Sequence, residues 1–270
     1  MKIGIIQNTI MPEARQNLER VKKLAALSKE ADILLLPELW NTPYDNQKIL
    51  SSLDSFEEAF ALLKDISREN HCILVGGTLA ERQGSSVYNT SFVFQDGSLL
   101  GAYRKMHLME FYGRNSYTEK EIFTPGNQMF TLQSPWGKLG IAICYDLRFP
   151  ELPRLLAKHQ VRLLLVPAAF NTHVGQEHWH ALLKTRAMEN QIFIAAANPA
   201  QYTFATYTAY GHSLIVNPFG TILKEAGEHE EVLSGEIDMA TLQTIRQRSP
   251  FWKIRRDDLY EVIEYDPDNE

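Results

Sequence analysis

The chain has 270 residues, 44% of them hydrophobic and 22% charged, a composition that excludes disorder and fibrous repeats. Lys and Arg number 27 against 33 Asp and Glu, a formal net charge of −6, so no basic stripe is expected for nucleic acid or an anionic membrane. Two cysteines, Cys72 and Cys144, cannot build a disulfide framework and suit a reducing compartment. No apolar run approaches the ~20 residues of a membrane span, and Met1–Gln7 runs straight into a strand pattern without signal-peptide architecture. The expectation is a cytoplasmic, enzyme-sized protein.

In chain order, Lys2–Gln7 reads as a short apolar strand and Pro12–Glu30 as an amphipathic helix with Leu18, Val21, Leu24 and Ala25 on one stripe. Ile33–Leu36, ended by Pro37, has the continuous apolar pattern of a strand buried on both faces. Phe56–Asn70 predicts a second helix and Cys72–Thr78 a third strand. The rhythm then changes. Val87–Gln95 and Ser98–Lys105 flank Asp96-Gly97, a strong hairpin signal, and Gln128–Ser134 and Leu139–Cys144 flank Pro135-Trp136-Gly137. Phe149–Gln160 and Gly175–Asn190 read as helices around the buried strand Val161–Val166. Strands follow at Gln191–Ala197, His212–Val216, Thr221–Lys224 and Val232–Ile237, then a short helix over Asp238–Arg248. Parallel crossovers mixed with hairpins predict an α/β fold, a four-layer αββα sandwich of two mixed sheets with helices outside. No linker divides the chain, so residues 1–270 are read as a single domain whose last ~20 residues form an extended tail.

Three polar residues sit at strand ends, where α/β sheets present groups to a crevice. Glu38 follows Ile33–Leu36, Lys105 closes the strand after Tyr103-Arg104, and Cys144 closes Leu139–Ile143. A carboxylate, an ammonium and a thiol meeting in one crevice would form an acyl-transfer site. Taken singly, each has a plainer reading: Cys144 as buried packing, Glu38 as a turn or cap residue, Lys105 as a solvated charge. Glu119 and Glu121, in the polar segment Asn115–Glu121, read by themselves as exposed loop charges. His173, His178 and His180 cluster around Trp179 and invite a metal, but positions 178 and 180 do not share a helix face and no metal-ligand motif occurs. A Cys–His dyad involving Cys144 is the better rival.

The strings Leu36-Pro37-Glu38-Leu39-Trp40, Tyr103-Arg104-Lys105-Met106-His107-Leu108 and Ile143-Cys144-Tyr145-Asp146-Leu147-Arg148-Phe149-Pro150-Glu151 resemble, in order, the three catalytic motifs of the nitrilase superfamily of carbon–nitrogen hydrolases. The resemblance extends from residue 2 to about 262. It implies the αββα sandwich, a homodimer or larger homo-oligomer, and neither metal nor organic cofactor. It implies Glu38 as general base, Lys105 as oxyanion stabiliser and Cys144 as nucleophile, and a second glutamate before a Pro-Gly. Counting back from Pro125-Gly126, Glu119 matches that place better than Glu121. The Tyr145 N–H would be a second oxyanion donor.

Tyr145-Asp146 after the cysteine is the amidase-like version of the motif. Asn41-Thr42-Pro43-Tyr44, Ala169-Phe170-Asn171, His178-Trp179, Glu189-Asn190-Gln191 and Asn198-Pro199-Ala200 resemble the ω-amidase branch. That likeness implies hydrolysis of the terminal amide of a small carboxylate-bearing substrate such as 2-oxoglutaramate or 2-oxosuccinamate, through a cysteinyl thioester. It puts Tyr44, Phe170 and Asn171 forward as substrate-positioning residues. Arg148 is open between a substrate role and an ion pair with Asp146 or Glu151. A deaminated-glutathione or N-carbamoyl amidase, or an idle binding module, are the alternative readings.

Overall fold

Ile33, Leu34, Leu35 and Leu36 are all buried, yet they divide between two cores. Ile33 and Leu35 join Ile3, Ile5, Leu165 and Ala195, whereas Leu34 and Leu36 join Leu18, Val21, Leu63 and Ile66. Side chains alternate across a strand, so a run apolar at every position must lie in a sheet covered on both faces. This computed structural model describes residues 1–112 and 116–265. Asn115 of the segment Asn115–Glu121, and the end of the expected tail from 266 to 270, lie outside the described residues.

The first sheet holds β1 (Lys2–Gln7), β2 (Ile33–Leu35), β3 (Ile73–Val75), β4 (Leu79–Gln83), β5 (Ser86–Gln95) and β6 (Ser98–Arg104). The second holds β7 (Thr131–Ser134), β8 (Gly137–Ile141), β9 (Val161–Pro167), β10 (Phe193–Ala197), β11 (Leu214–Val216) and β12 (Ile222–Glu225). The chain then returns to the first sheet as β13 (Glu231–Glu236), antiparallel to β1. β1, β2 and β3 run parallel, as do β8, β9 and β10, and the hairpins are antiparallel. β1 and β2 lie against β10, so the sheets pack face to face. Helices α1 (Ala14–Ala25) and α3 (Phe56–Asn70) cover the first sheet, with α2 (Asn46–Ser52) between them in the chain. Helices α4 (Glu151–Lys158) and α5 (His180–Asn190) cover the second, and α6 is Met239–Arg248. The four-layer αββα sandwich is therefore present. No helix among the described residues is long and apolar enough to cross a membrane.

Several boundaries differ from expectation. The first helix ends at Ala25, and Leu27 is exposed. Two elements carried no periodic signal in the sequence. They are α2, started by the Asp45 side chain accepting from the Gln47 and Lys48 N–H groups, and β4, paired to the N-terminal half of β5. Strand β8 stops at Ile141, and Cys144 instead opens a 3₁₀ turn, Cys144–Arg148. The helix expected from Gly175 begins as a π-helical turn over Gly175–Trp179. The tail beyond Trp252 has no strand or helix among the described residues. It folds back on α4, where the Lys158 ammonium donates to the Val262 carbonyl at 2.8 Å.

Candidate active site

The ends of β2, β8, β9 and β10 meet at one edge of the sandwich. The Glu38 N–H donates to the Ala168 carbonyl, Ala168 N–H to Ala197, and Ala142 N–H to Leu165. Leu39 and Cys144 both have positive φ, 48° and 45°. For non-glycine residues that backbone costs of order ~1–3 kcal/mol each and concentrates at functional sites. Gly77 backs the Glu38 loop: it has φ +60°, and a Cβ there would lie 2.1 Å from the Pro37 carbonyl oxygen.

Glu38, Lys105 and Cys144 come together, buried. The Lys105 Nζ donates to Glu38 Oε1 at 2.8 Å and to Glu119 Oε1 at 2.9 Å. Asn89 Nδ2 also donates to Glu38 Oε1, at 2.8 Å. Glu38 Oε2 has no hydrogen-bond partner among the described residues, and the Cys144 thiol lies close enough to influence the carboxyl's ionisation. Glu119 is held by the Tyr44 hydroxyl at 2.6 Å and the Met109 N–H at 2.5 Å. Glu121 is exposed and accepts from Asn46, so Glu119 is the second glutamate that meets Lys105. Lys105 itself is held against Gly126, whose N–H donates to its carbonyl. A Cβ at 126 would lie 2.2 Å from the Arg104 carbonyl oxygen.

Around this centre, Tyr44 stacks on Tyr207 at 5.2 Å. Phe170 packs on Trp179 at 4.9 Å, and its N–H donates to Asn198 Oδ1. The Asn171 Oδ1 caps the following helical turn by accepting from the Val174 N–H. Tyr145 is half-buried. The Arg148 guanidinium lies over the rings of Tyr145 and Phe170, 5.4 and 5.8 Å from their centroids, and beside His178 Nδ1 at 3.2 Å. It pairs with neither Asp146 nor Glu151. The Asp146 carboxylate is taken up by Tyr103, His107 and the Ile143 N–H.

A carbon–nitrogen hydrolase family model matches residues 2–247. The chain belongs to the carbon–nitrogen hydrolases. Like the rest of the family it is a hydrolase acting on carbon–nitrogen bonds. It is 38% identical over 269 residues to the omega-amidase NIT2 of Xenopus tropicalis, covering 97% of this chain and 98% of that one. It is 36% identical over 267 residues to the omega-amidase NIT2 of Homo sapiens, covering 97% of each. Among solved structures it resembles Saccharomyces cerevisiae Nit3, a member of branch 10 of the nitrilase superfamily. The TM-score is 0.85 and identity 34%, over 95% of this chain and 96% of that one. It also matches the Nesterenkonia sp. AN1 amidase at TM-score 0.77 and 29% identity, over 94% of this chain and 100% of that one.

The electrostatics of this hydrolase's centre follow from its burial. Burial raises the Glu38 carboxyl above the ordinary range; Lys105 opposes the rise and Glu119 adds to it. Burial alone would lower Lys105, but Glu119 and Glu38 hold its ammonium well above an ordinary lysine. Burial pushes the Cys144 thiol well up and Glu38 adds to it, while Lys105 and the Ala169 N–H pull it back. One ammonium already faces two carboxylates, so a thiolate would add a second net negative charge to a buried site. Passing the thiol proton to Glu38 avoids that.

The groups acting on Cys144 include no histidine, so the Cys–His dyad finds no support in the geometry. His173, His178 and His180 do not converge: His173 is exposed, His178 meets Arg148, and His180 Nε2 meets Glu225 Oε1 at 2.7 Å. Among the described residues, the trio that could hold a metal is His180, His212 and Glu225. Both imidazoles hydrogen-bond the same Glu225 oxygen, which leaves the carboxylate satisfied without an ion. Sequence reasoning missed Asn89, which orients Glu38, the Asp146 hub, and Asn198, which brackets Phe170. Each acts across a long sequence separation, and none carries a local signal.

Proposed function

We propose that this carbon–nitrogen hydrolase is an ω-amidase, cleaving the terminal amide of 2-oxoglutaramate, 2-oxosuccinamate and similar carboxylate-bearing amides through a cysteinyl thioester. The observation that carries the substrate class is Arg148, a guanidinium with no carboxylate partner among the described residues, beside the turn that holds Cys144. A desolvated substrate carboxylate needs such a partner, since a buried unpaired anion costs several kcal/mol. Full-length similarity to omega-amidases supports the same class.

In the first half-reaction, Glu38 Oε2 takes the Cys144 proton as Sγ attacks the amide carbon. The carbonyl electrons move onto oxygen, which the Lys105 ammonium and the Tyr145 N–H stabilise. The Tyr145 N–H opens a helical turn, where such groups lack an intrahelical acceptor. Loss of one such donor typically costs about 3–4 kcal/mol. The intermediate collapses with cleavage of the C–N bond, Glu38 returns its proton to nitrogen, and ammonia leaves. Water then attacks the thioester with Glu38 as base, releasing the acid and the thiol. Glu119 holds Lys105 in place, and Tyr44 holds Glu119. The Nesterenkonia amidase, in which acrylamide adds to the active-site cysteine, supports the nucleophile assignment.

Ammonia release from an amide panel tests the reading. 2-Oxoglutaramate and succinamate are expected to exceed propionamide by at least ~10²-fold in kcat/KM, about 2.7 kcal/mol. Equal rates, or preference for an N-carbamoyl or glutathione-like compound, would retain the thiol chemistry and remove the ω-amidase assignment.

A further inference from the structure

Tyr207 belongs to a short hairpin in which Thr203–Phe204 pairs with Tyr207–Thr208. Its ring is stacked on Tyr44, with centroids 5.2 Å and planes 20° apart, and lies 5.6 Å from the Tyr202 ring. Part of the residue is exposed, but the hydroxyl oxygen is buried and has no hydrogen-bond partner among the described residues. The neighbouring hydroxyls have other duties. Tyr44 donates to Glu119, and Tyr202 accepts the Tyr44 N–H at 3.2 Å. Tyr117, 5.7 Å from Tyr44, has a free hydroxyl too, but Glu119 and Lys105 are the charges that act on it most. Tyr207 instead feels Cys144 and Glu38, behind burial and Tyr202.

Two unpartnered buried oxygens therefore border the nucleophile: Glu38 Oε2 and the Tyr207 hydroxyl. A primary carboxamide has two N–H donors on one nitrogen, and native proteins rarely leave buried polar atoms unpaired. We propose that the Tyr207 hydroxyl binds the nitrogen of the scissile carboxamide, one N–H going to it and the other to Glu38 Oε2. This rests on the amidase reading above. Holding one N–H at Tyr207 turns the nitrogen lone pair of the tetrahedral intermediate toward the protonated Glu38, the orientation its departure as ammonia requires. Tyr207 is then the residue by which the site reads an amide rather than an ester of the same acid, since an ester oxygen offers no N–H.

The test compares succinamate with monomethyl succinate on wild type and Tyr207→Phe, which keeps the ring stack. Both substrates give the same thioester, so its hydrolysis is common to them. The variant is expected to lose about 10–100-fold in kcat/KM on the amide, the scale of a binding group left unpaired, and to stay within about threefold on the ester. Equal losses on both would make Tyr207 a structural residue, and no loss on the amide would remove it from the site; either overturns the proposal. Should wild type prefer propionamide to succinamate, the ω-amidase reading falls. Tyr207 is then judged by the same ratio on propionamide and methyl propionate.

Discussion

Asp146 grips His107 twice, taking its backbone N–H at 3.0 Å and facing its ring Nδ1 at 2.7 Å, both on Oδ1. Its other oxygen takes the Tyr103 hydroxyl and the Ile143 N–H, each at 2.8 Å. Residues 103 and 107 flank Lys105 by two positions on either side, and Ile143 precedes Cys144. One buried carboxylate thus sets the spacing between ammonium and thiol. Asp146→Asn, which cannot accept all four contacts, is expected to lower kcat more than it raises KM. Asp146→Ala is expected to cost about 3 kcal/mol or more of stability, measured by chemical denaturation. A variant with unchanged kcat would show that the spacing does not depend on this hub.

The two cysteines should separate cleanly by reactivity. Burial pushes Cys72 up to about 12, and it lies in the helix-facing core with no base beside it. Cys144 has Glu38 to take its proton. Iodoacetamide or acrylamide is expected to label Cys144 far faster than Cys72, as read by peptide mass spectrometry, and Cys144→Ala is expected to fold without turnover. Preferential labelling of Cys72 would reverse the assignment.

Lys105→Met removes the one ammonium between two buried carboxylates. We expect kcat to fall by at least ~10²-fold, with a stability loss of about 3–5 kcal/mol at neutral pH. The carboxyls would rise further above their unfolded values, so the loss should be smallest at acid pH and grow as pH rises. Melting curves across that range provide the check, and near-normal kcat would make Lys105 a structural charge.

Glu38→Gln is expected to be inactive yet no less stable than wild type at pH 8. The folded Glu38 carboxyl is raised by burial, so its contribution to stability is complete below the unfolded value near ~4.5 and is lost as pH rises through the raised one. Glutamine mimics the protonated form and leaves Lys105 with Glu119 alone, one cation to one anion. The variant's melting temperature relative to wild type should therefore climb from pH 4.5 to pH 8. A relative fall over that interval would mean that Lys105 outweighs burial.

Arg148→Met should erase discrimination rather than chemistry. Turnover of 2-oxoglutaramate and succinamate is expected to drop toward that of propionamide, with the propionamide rate nearly unchanged. EDTA should leave every rate as it was. Equal losses on charged and neutral amides would place Arg148 in the support of the Cys144 turn.

Whatever depended on neighbours in sequence was legible without the fold. Ile33–Leu36 showed its two-sided burial because every position is apolar, and Asp96-Gly97 marked its hairpin because both residues take positive φ, 49° and 80°. The ordered motifs around Glu38, Lys105 and Cys144 pointed to one crevice, because parallel strands deliver their ends to the same edge. The choice between Glu119 and Glu121 needed the tertiary structure. The two share a short polar turn, and only its docking beside Lys105 buries one and leaves the other in solvent. The same holds for Asn89 on Glu38, Asp146 across to His107 and Tyr207 against Tyr44. Their partners lie 51, 39 and 163 residues away in the chain, and a hydrogen bond or ring stack over that separation is decided by how the sheets pack, not by the residues beside it.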